Sequence, residues 1–106
     1  MKKYEIVKSH QDFDDVLKNG SSKKCIYVYI YNKDNNLNIS RFGIAVGKKV
    51  GNAVTRNLMK RRYRMILHNN KNMFQKGKDY IIIVKRSAAD ASYEQLNKDI
   101  VKSMTE

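Results

Sequence analysis

Between Asp34 and Asp79 the chain has no carboxylate, yet this interval holds eleven Lys and Arg, half of the chain's twenty-two. Whatever it folds into cannot neutralise itself by local ion pairs. A helix inside it must sort its residues into an apolar stripe that packs and a cationic stripe left for solvent or a polyanion. The stretch Asn52–His68 does so. At about 100° per residue, Arg56, Lys60 and Arg64 follow one ridge, flanked by Asn57 and Arg61. Val54, Leu58, Met59, Met65 and Ile66 fall on the opposite side, where Arg62 interrupts the apolar stripe. Surface helices usually alternate signs to gain i,i+4 pairs; this one has a single sign.

The rest of the composition bounds the fold. A chain of 106 residues suits a single domain, taken as 1–106. Hydrophobic residues make up 42%, enough for one core, and with no Pro and five Gly nothing reads as a flexible linker. Cys25 is alone, which excludes an internal disulfide. The longest apolar run, Tyr80–Val84, is far short of the roughly 20 residues of a membrane span. Met1-Lys2-Lys3-Tyr4 lacks the apolar stretch of a signal peptide, so a cytoplasmic location is expected. The net charge of +12 opposes compaction, and a polyanion that neutralises it is the natural partner.

A first helix is predicted over about His10–Lys18, with Ser9 as N-cap, Phe13, Val16 and Leu17 on one face, and Asn19-Gly20 as the stop. A strand over about Cys25–Tyr31 alternates Ile26, Val28 and Ile30 with Tyr27, Tyr29 and Tyr31. Asn32–Asn36 reads as a turn, and Leu37–Val46 as a second strand pairing back in a hairpin. After the loop Gly47–Gly51 and the central helix, Asp79–Lys85 is a strand apolar enough to be buried on both faces. Ser92 and Gln95 form a capping-box pattern at the start of a last helix, whose inner stripe is Tyr93, Leu96, Ile100 and Met104. One sheet of about four strands with helices packed on it is the economical arrangement.

The cationic ridge suits phosphates spaced along a backbone, with Arg supplying bidentate forks and Asn57 able to reach a base edge or 2′-hydroxyl. The tyrosine strand carries aliphatic residues on its other face, which leaves its aromatic face free to stack bases. The bland alternatives are a solvated helix face and half of a core. A membrane-surface helix would need large aromatic anchors on its apolar face, and a DNA reader would need varied base-reading side chains. His10 and His68 have no spacing that suggests an acid–base pair. Asp12, Asp14 and Asp15 read as an acidic first helical stretch more simply than as a Mg²⁺ site. No zinc spacing, phosphate loop or nucleophile motif is present, so no catalytic and no metal residues are assigned.

The block Arg41–Arg64, above all Lys48-Lys49-Val50-Gly51-Asn52-Ala53-Val54 and the ordered Arg56-Asn57, Lys60-Arg61 and Arg64, resembles the bacterial ribonuclease P protein subunit. The likeness extends more weakly over nearly the whole chain. It implies a small α/β (α+β) two-layer sandwich with a left-handed βαβ crossover, a handedness the general right-handed preference would not suggest. It also implies a protein that binds a large catalytic RNA and the 5′ leader of precursor tRNA, the RNA doing the Mg²⁺-dependent cleavage. On that resemblance Lys48, Lys49, Asn52, Arg56, Asn57, Lys60, Arg61 and Arg64 face the catalytic RNA. Phe13, Leu17 and Tyr31 match the leader cleft, and the tyrosine strand adds Tyr27 and Tyr29 to that assignment. Leu17 stands where an aromatic is common, Arg62 where an aliphatic residue is usual, and Met65 where an acidic or amide residue is frequent. The expected assembly is one monomer per catalytic RNA, with Mg²⁺ entering through the RNA and no membrane contact. A ribosomal or assembly protein of similar charge is the competing reading; it would need no leader cleft.

Overall fold

The computed structural model describes Lys2 and residues 5–105, so most of the N-terminal tetrad lies outside the described residues. In chain order the elements are α1 (His10–Asn19), β1 (Ser21–Lys24), β2 (Val28–Asp34), β3 (Arg41–Val46), α2 (Ala53–Asn69), β4 (Lys78–Val84) and α3 (Tyr93–Thr105). The strands form one mixed sheet in the order β1-β2-β4-β3. β4 is antiparallel to β2 and parallel to β3, so β3, α2 and β4 make a βαβ crossover.

The position of β4 follows from its composition. Tyr80, Ile82 and Val84 point to one face and Ile81 to the other, and all four are buried. A strand apolar on both sides belongs in the interior of a sheet. β3, with Gly43 and Ala45 on one face, takes the edge. The expected hairpin between the tyrosine strand and Leu37–Val46 therefore does not form: β4 inserts between them. Residues 35–40 are instead a loop, in which Asn35 Oδ1 accepts from the Leu37 N–H at 2.8 Å and Asn36 takes φ 59°.

A hairpin exists one step earlier. The predicted strand Cys25–Tyr31 is broken: β1 and β2 pair in register from Ser21↔Asn32 to Lys24↔Tyr29, and Cys25–Tyr27 is the turn. Ile26, expected in the core, is 62% exposed. The alternation runs unbroken through this turn, so the pattern could not show the break. What holds the turn is distant. Buried Asp99 on α3 accepts from the Ile26 N–H through Oδ1 and the Tyr27 N–H through Oδ2, both at 3.0 Å.

The main core lies between the sheet and α2 with α3. Val28, Ile30, Phe42, Tyr80 and Ile82 face Met59, Tyr63, Ile66 and Leu67 of α2 and Leu96 and Ile100 of α3. Each such side chain contributes about 1.5–3 kcal/mol by leaving water. Phe42 stacks on Tyr80, and Phe74 meets both rings edge-on. The α2 stripe is rotated from the expected one. Tyr63 and Leu67 are in the core, while Val54 (77%) and Met65 (55%) are exposed. Arg62 lies half-buried at the stripe's edge, and its guanidinium donates to the Ala91 carbonyl at 3.3 Å. The capping box of α3 forms as expected, with Ser92 and Gln95 exchanging side-chain bonds to each other's N–H.

On the opposite face of the sheet α1 builds a smaller cluster of Val7, Val16 and Ile81, with Phe13, Leu17, Tyr31 and Ile83 against it. Ser9 caps α1 by accepting from the Asp12 N–H. No helix among the described residues is long and apolar enough to cross a membrane.

Candidate nucleic-acid interface

The sheet face that carries α1 is only partly covered. Tyr29, Tyr31, Ile81 and Ile83 share this face through the β2–β4 register, with Gly43 and Ala45 beside them on β3. α1 lies over one end. Phe13 is seated on bare backbone: a Cβ on Gly43 would come within 2.8 Å of the Phe13 ring and of Ile81 Cδ1. Beyond α1 the face opens toward the end where β4 finishes, forming a cleft floored by aromatic and aliphatic side chains. Phe13, Leu17, Tyr29 and Tyr31 are all half-buried, as expected of side chains that line a cleft without filling a core.

Tyr27 does not share this surface. It follows the Cys25–Tyr27 turn and packs against the main core cluster. Its backbone N–H is held by Asp99 and its carbonyl accepts from the Lys85 N–H at 2.8 Å.

The basic rim begins directly after β3. Lys48 and Lys49 stand exposed on a single 3-10 turn, Lys48–Val50, anchored by buried Val50. Gly51 then takes φ 158° and ψ −168°, a backbone region open essentially to glycine alone. That residue aims the chain into α2. Asn52 caps the helix, its side-chain oxygen accepting from the Thr55 N–H at 3.0 Å. Arg56 and Lys60 are half-buried along the edge of α2, and Asn57, Arg61 and Arg64 are exposed. The Nε of Arg56 is buried without a protein hydrogen-bond partner. Asn52, Asn57 and this run of cations lie along one helix from its N-terminus, where the backbone dipole also favours anions.

Charge is sorted in space. Among the described residues none of Lys48, Lys49, Arg56, Lys60, Arg61 and Arg64 is in an ion pair. The carboxylates that do form ion pairs lie elsewhere. Arg41 donates to Asp79 through Nε at 2.7 Å and Nη2 at 2.5 Å and lies 3.5 Å from Asp12. The neighbouring Asp79 carboxylate raises the Arg41 pKa. Lys33 pairs with Asp15, Lys78 with Asp34, and Lys71 with Glu5 at 2.7 Å. Asp14 lies 3.4 Å from His10, a local i,i+4 contact. His68 sits exposed in the last turn of α2. Tyr63, fully buried, has its hydroxyl pKa pushed well up, first by burial and then by Asp99.

A family model described as Ribonuclease P matches residues 1–106. This chain belongs to the ribonuclease P protein family. Among curated relatives it is 38% identical to the ribonuclease P protein component of Mycoplasma mycoides subsp. mycoides, over all of this chain and 98% of that one. It is 36% identical to that of Streptococcus pneumoniae, over 95% of this chain and 82% of that one. Solved ribonuclease P proteins share the fold. One from Staphylococcus aureus, a mutant with defective mRNA degradation activity, superposes with a TM-score of 0.90 at 31% identity, over 97% of this chain and 87% of that one. One from Thermotoga maritima gives 0.86 at 27% identity, over 94% of each. The chain takes part in tRNA 5′ processing within an endoribonuclease complex, and its implied partner is the ribonuclease P RNA.

Proposed function

We propose that this chain holds the ribonuclease P RNA along the basic edge of α2 and the single-stranded 5′ leader of precursor tRNA across the open sheet face. The observation that carries the reading is the adjacency of two unlike surfaces. Lys48 and Lys49, which lead into the cationic edge of α2, line the same hollow as Tyr29 and Ile83, and among the described residues none of these cations is in an ion pair. Lys48, Lys49, Asn52, Arg56, Asn57, Lys60, Arg61 and Arg64 supply the first contact, chiefly to phosphates. Phe13, Leu17, Tyr29 and Tyr31 supply the second, by stacking and packing on unpaired bases. Tyr27 is left out because its ring packs on the other side of the sheet. Exposed Met65 and Val54 flank the ridge and can cover sugar or base surface without a charge.

The RNA performs the chemistry, and Mg²⁺ enters through it. The carboxylates Asp12, Asp15 and Asp79 near the cleft are already engaged with Arg41 and Lys33. The protein's part is to hold the leader and screen phosphate repulsion, so that cleavage needs less Mg²⁺. Its net charge of +12 opposes self-association, which favours one monomer per catalytic RNA in the cytoplasm.

The test is cleavage of a precursor tRNA at limiting Mg²⁺ by a bacterial ribonuclease P RNA, with and without the protein. Release of the 5′ leader should be restored by the protein and should require the RNA. Cleavage by the protein alone would reveal an active site in the chain. Binding to RNA without any effect on cleavage would favour a purely structural RNA-binding role.

A further inference from the structure

A separate hollow of about 240 Å³ opens between the Cys25–Tyr27 turn and the last turns of α3. It lies on the α3 side of the sheet, since Lys23 opposes Ile30 and Ile30 points into the main core. Ile26, Cys25, Asp99 and Ser103 form its walls. Lys24 and Lys102 stand exposed at its mouth, and Lys23 reaches across to donate to the Ser103 carbonyl. The wall is fixed before any ligand arrives. Asp99 holds two N–H groups of the turn, Lys85 Nζ (4.4 Å from the Tyr29 ring centroid) donates to the Cys25 carbonyl at 2.5 Å, and Ser87 Oγ donates to the Ile26 carbonyl at 3.4 Å. Asp99 uses one lone pair of each oxygen on the turn, so each oxygen can accept once more. Burial, and after it the Asp99 charge, raises the Cys25 thiol pKa, which keeps the thiol protonated and leaves Asp99 as the single negative charge in the wall. The fully buried Tyr63 hydroxyl, which feels both Asp99 and Cys25, has no hydrogen-bond partner among the described residues.

We infer that this hollow is a guanine-nucleotide site, with the base edge on Asp99, the base face on Ile26 and the phosphate on the lysines at the mouth. Its volume is just under the usual range for drug-sized ligands, which suits one ring system inside with ribose and phosphate outside. The chemistry of the wall selects the base. A carboxylate with one free lone pair on each oxygen suits two parallel N–H donors. Guanine supplies them side by side in N1–H and N2–H, whereas the other three bases alternate donor with acceptor along that edge. The guanine O6 beside them is an acceptor of the kind the unpaired Tyr63 hydroxyl lacks. Ile26, 62% exposed yet held in place by the turn, gains a flat apolar surface to cover it. The guanine belongs either to a free nucleotide or to an unpaired residue of the bound RNA. The site depends neither on the leader cleft nor on the α2 ridge.

Cys25 is the only cysteine in the chain, so its alkylation by iodoacetamide reports on the hollow directly. The rate is followed by mass spectrometry on the whole chain with GMP, IMP, inorganic phosphate or ribonuclease P RNA added. GMP should slow alkylation saturably, roughly tenfold at about ten times its dissociation constant. IMP, which lacks the 2-amino group, should need a concentration roughly tenfold higher. Lys24→Ala should raise the GMP midpoint roughly two- to fivefold, and Ile26→Ser roughly tenfold. Midpoints are compared, so a change in the intrinsic reactivity of the thiol does not enter. Protection by phosphate equal to that by GMP, or no protection by either GMP or RNA, overturns the site. Equal midpoints for GMP and IMP overturn the pairing with Asp99. Protection by GMP and not by RNA assigns the site to a free nucleotide. Protection by RNA that is lost in Ile26→Ser, with RNA affinity kept, assigns it to an unpaired guanine of the RNA. RNA protection that survives Ile26→Ser, with none by GMP, is mere coverage and overturns the site as well.

Discussion

Asp99→Ala should be among the most damaging substitutions outside the apolar core, because the side chain holds a turn more than seventy residues away. Its two oxygens each accept one backbone N–H of the Cys25–Tyr27 turn at 3.0 Å. Hydrogen bonds to a charged acceptor contribute about 1.5–3 kcal/mol each, so the pair would sum to about 3–6 kcal/mol if both donors were left dry. They are not both left dry: Ile26 is 62% exposed, and its freed N–H can reach water. The expected loss is therefore about 2–3 kcal/mol, a fall in Tm of roughly 8–15 °C for a domain of this size. Asp99→Asn keeps one acceptor and turns an NH₂ toward the other donor, so an intermediate loss is expected. Urea unfolding followed by circular dichroism gives the free energy, and amide exchange at Ile26 and Tyr27 locates it. If Asp99→Ala stays within about 0.5 kcal/mol of the wild type and those two amides exchange no faster, the carboxylate does not hold the turn.

Other consequences are open to direct measurement. Gly43→Ala adds a methyl within 2.8 Å of the Phe13 ring and Ile81 Cδ1. The expected result is a loss of about 1–3 kcal/mol from overpacking with shifted NMR signals in α1, and an unchanged Phe13 environment would contradict it. Arg61→Ala and Arg64→Ala should each lower the salt slope of RNA binding by about 0.7–0.9; filter-binding at several salt concentrations that finds equal slopes would remove both as phosphate contacts. The Lys71 ammonium, and after it the Lys2 N–H, hold the Glu5 carboxyl below its ordinary range. A depressed carboxyl contributes stability above its unfolded pKa and loses it as pH falls through the folded value. Lys71→Met should therefore move the Glu5 titration upward and weaken the acid-side dependence of stability, as read by NMR titration and melts below pH 5.

Local chemistry made some elements readable and left others hidden. The Ser9 cap, the Asn19-Gly20 stop, the Asn52 start of α2 and the Ser92–Gln95 box are each written within four residues, and the structure uses them all. The two-sided apolar run of β4 announced an interior strand. It did not announce which strands would flank it, because pairing partners are a tertiary choice. That is why a hairpin between β2 and β3 looked natural and was displaced. The break at Cys25–Tyr27 was invisible for a similar reason: its holding group, Asp99, is more than seventy residues away. This break also moved Tyr27 off the face of Tyr29 and Tyr31. In α2 a helical wheel separated charge from hydrocarbon but could not fix the rotation of the stripe. Tyr63 is buried among sheet and α3 side chains while Val54 is exposed, a choice set by the packing partners and not by the helix itself. The cation–π contact of Lys85 with Tyr29 had no signal in the sequence, since it arises from a strand register.

The two acids that bracket the basic interval meet again in the fold. Asp34 stands opposite Lys78 and Asp79 opposite Lys33, so the interval closes into a loop with its acids at one end of the sheet. Asp12 and Asp15 join that end, already balanced by Arg41 and Lys33. The far end carries Lys48, Lys49, Lys85 and Arg86, together with the N-terminus of α2. A molecule charged in this lopsided way has a moment as well as a net charge. In the field of a large RNA it is turned as well as attracted, so collisions begin with the cationic end forward and less of the rotational search is left to chance. Adding salt then shortens the reach of that torque along with the attraction.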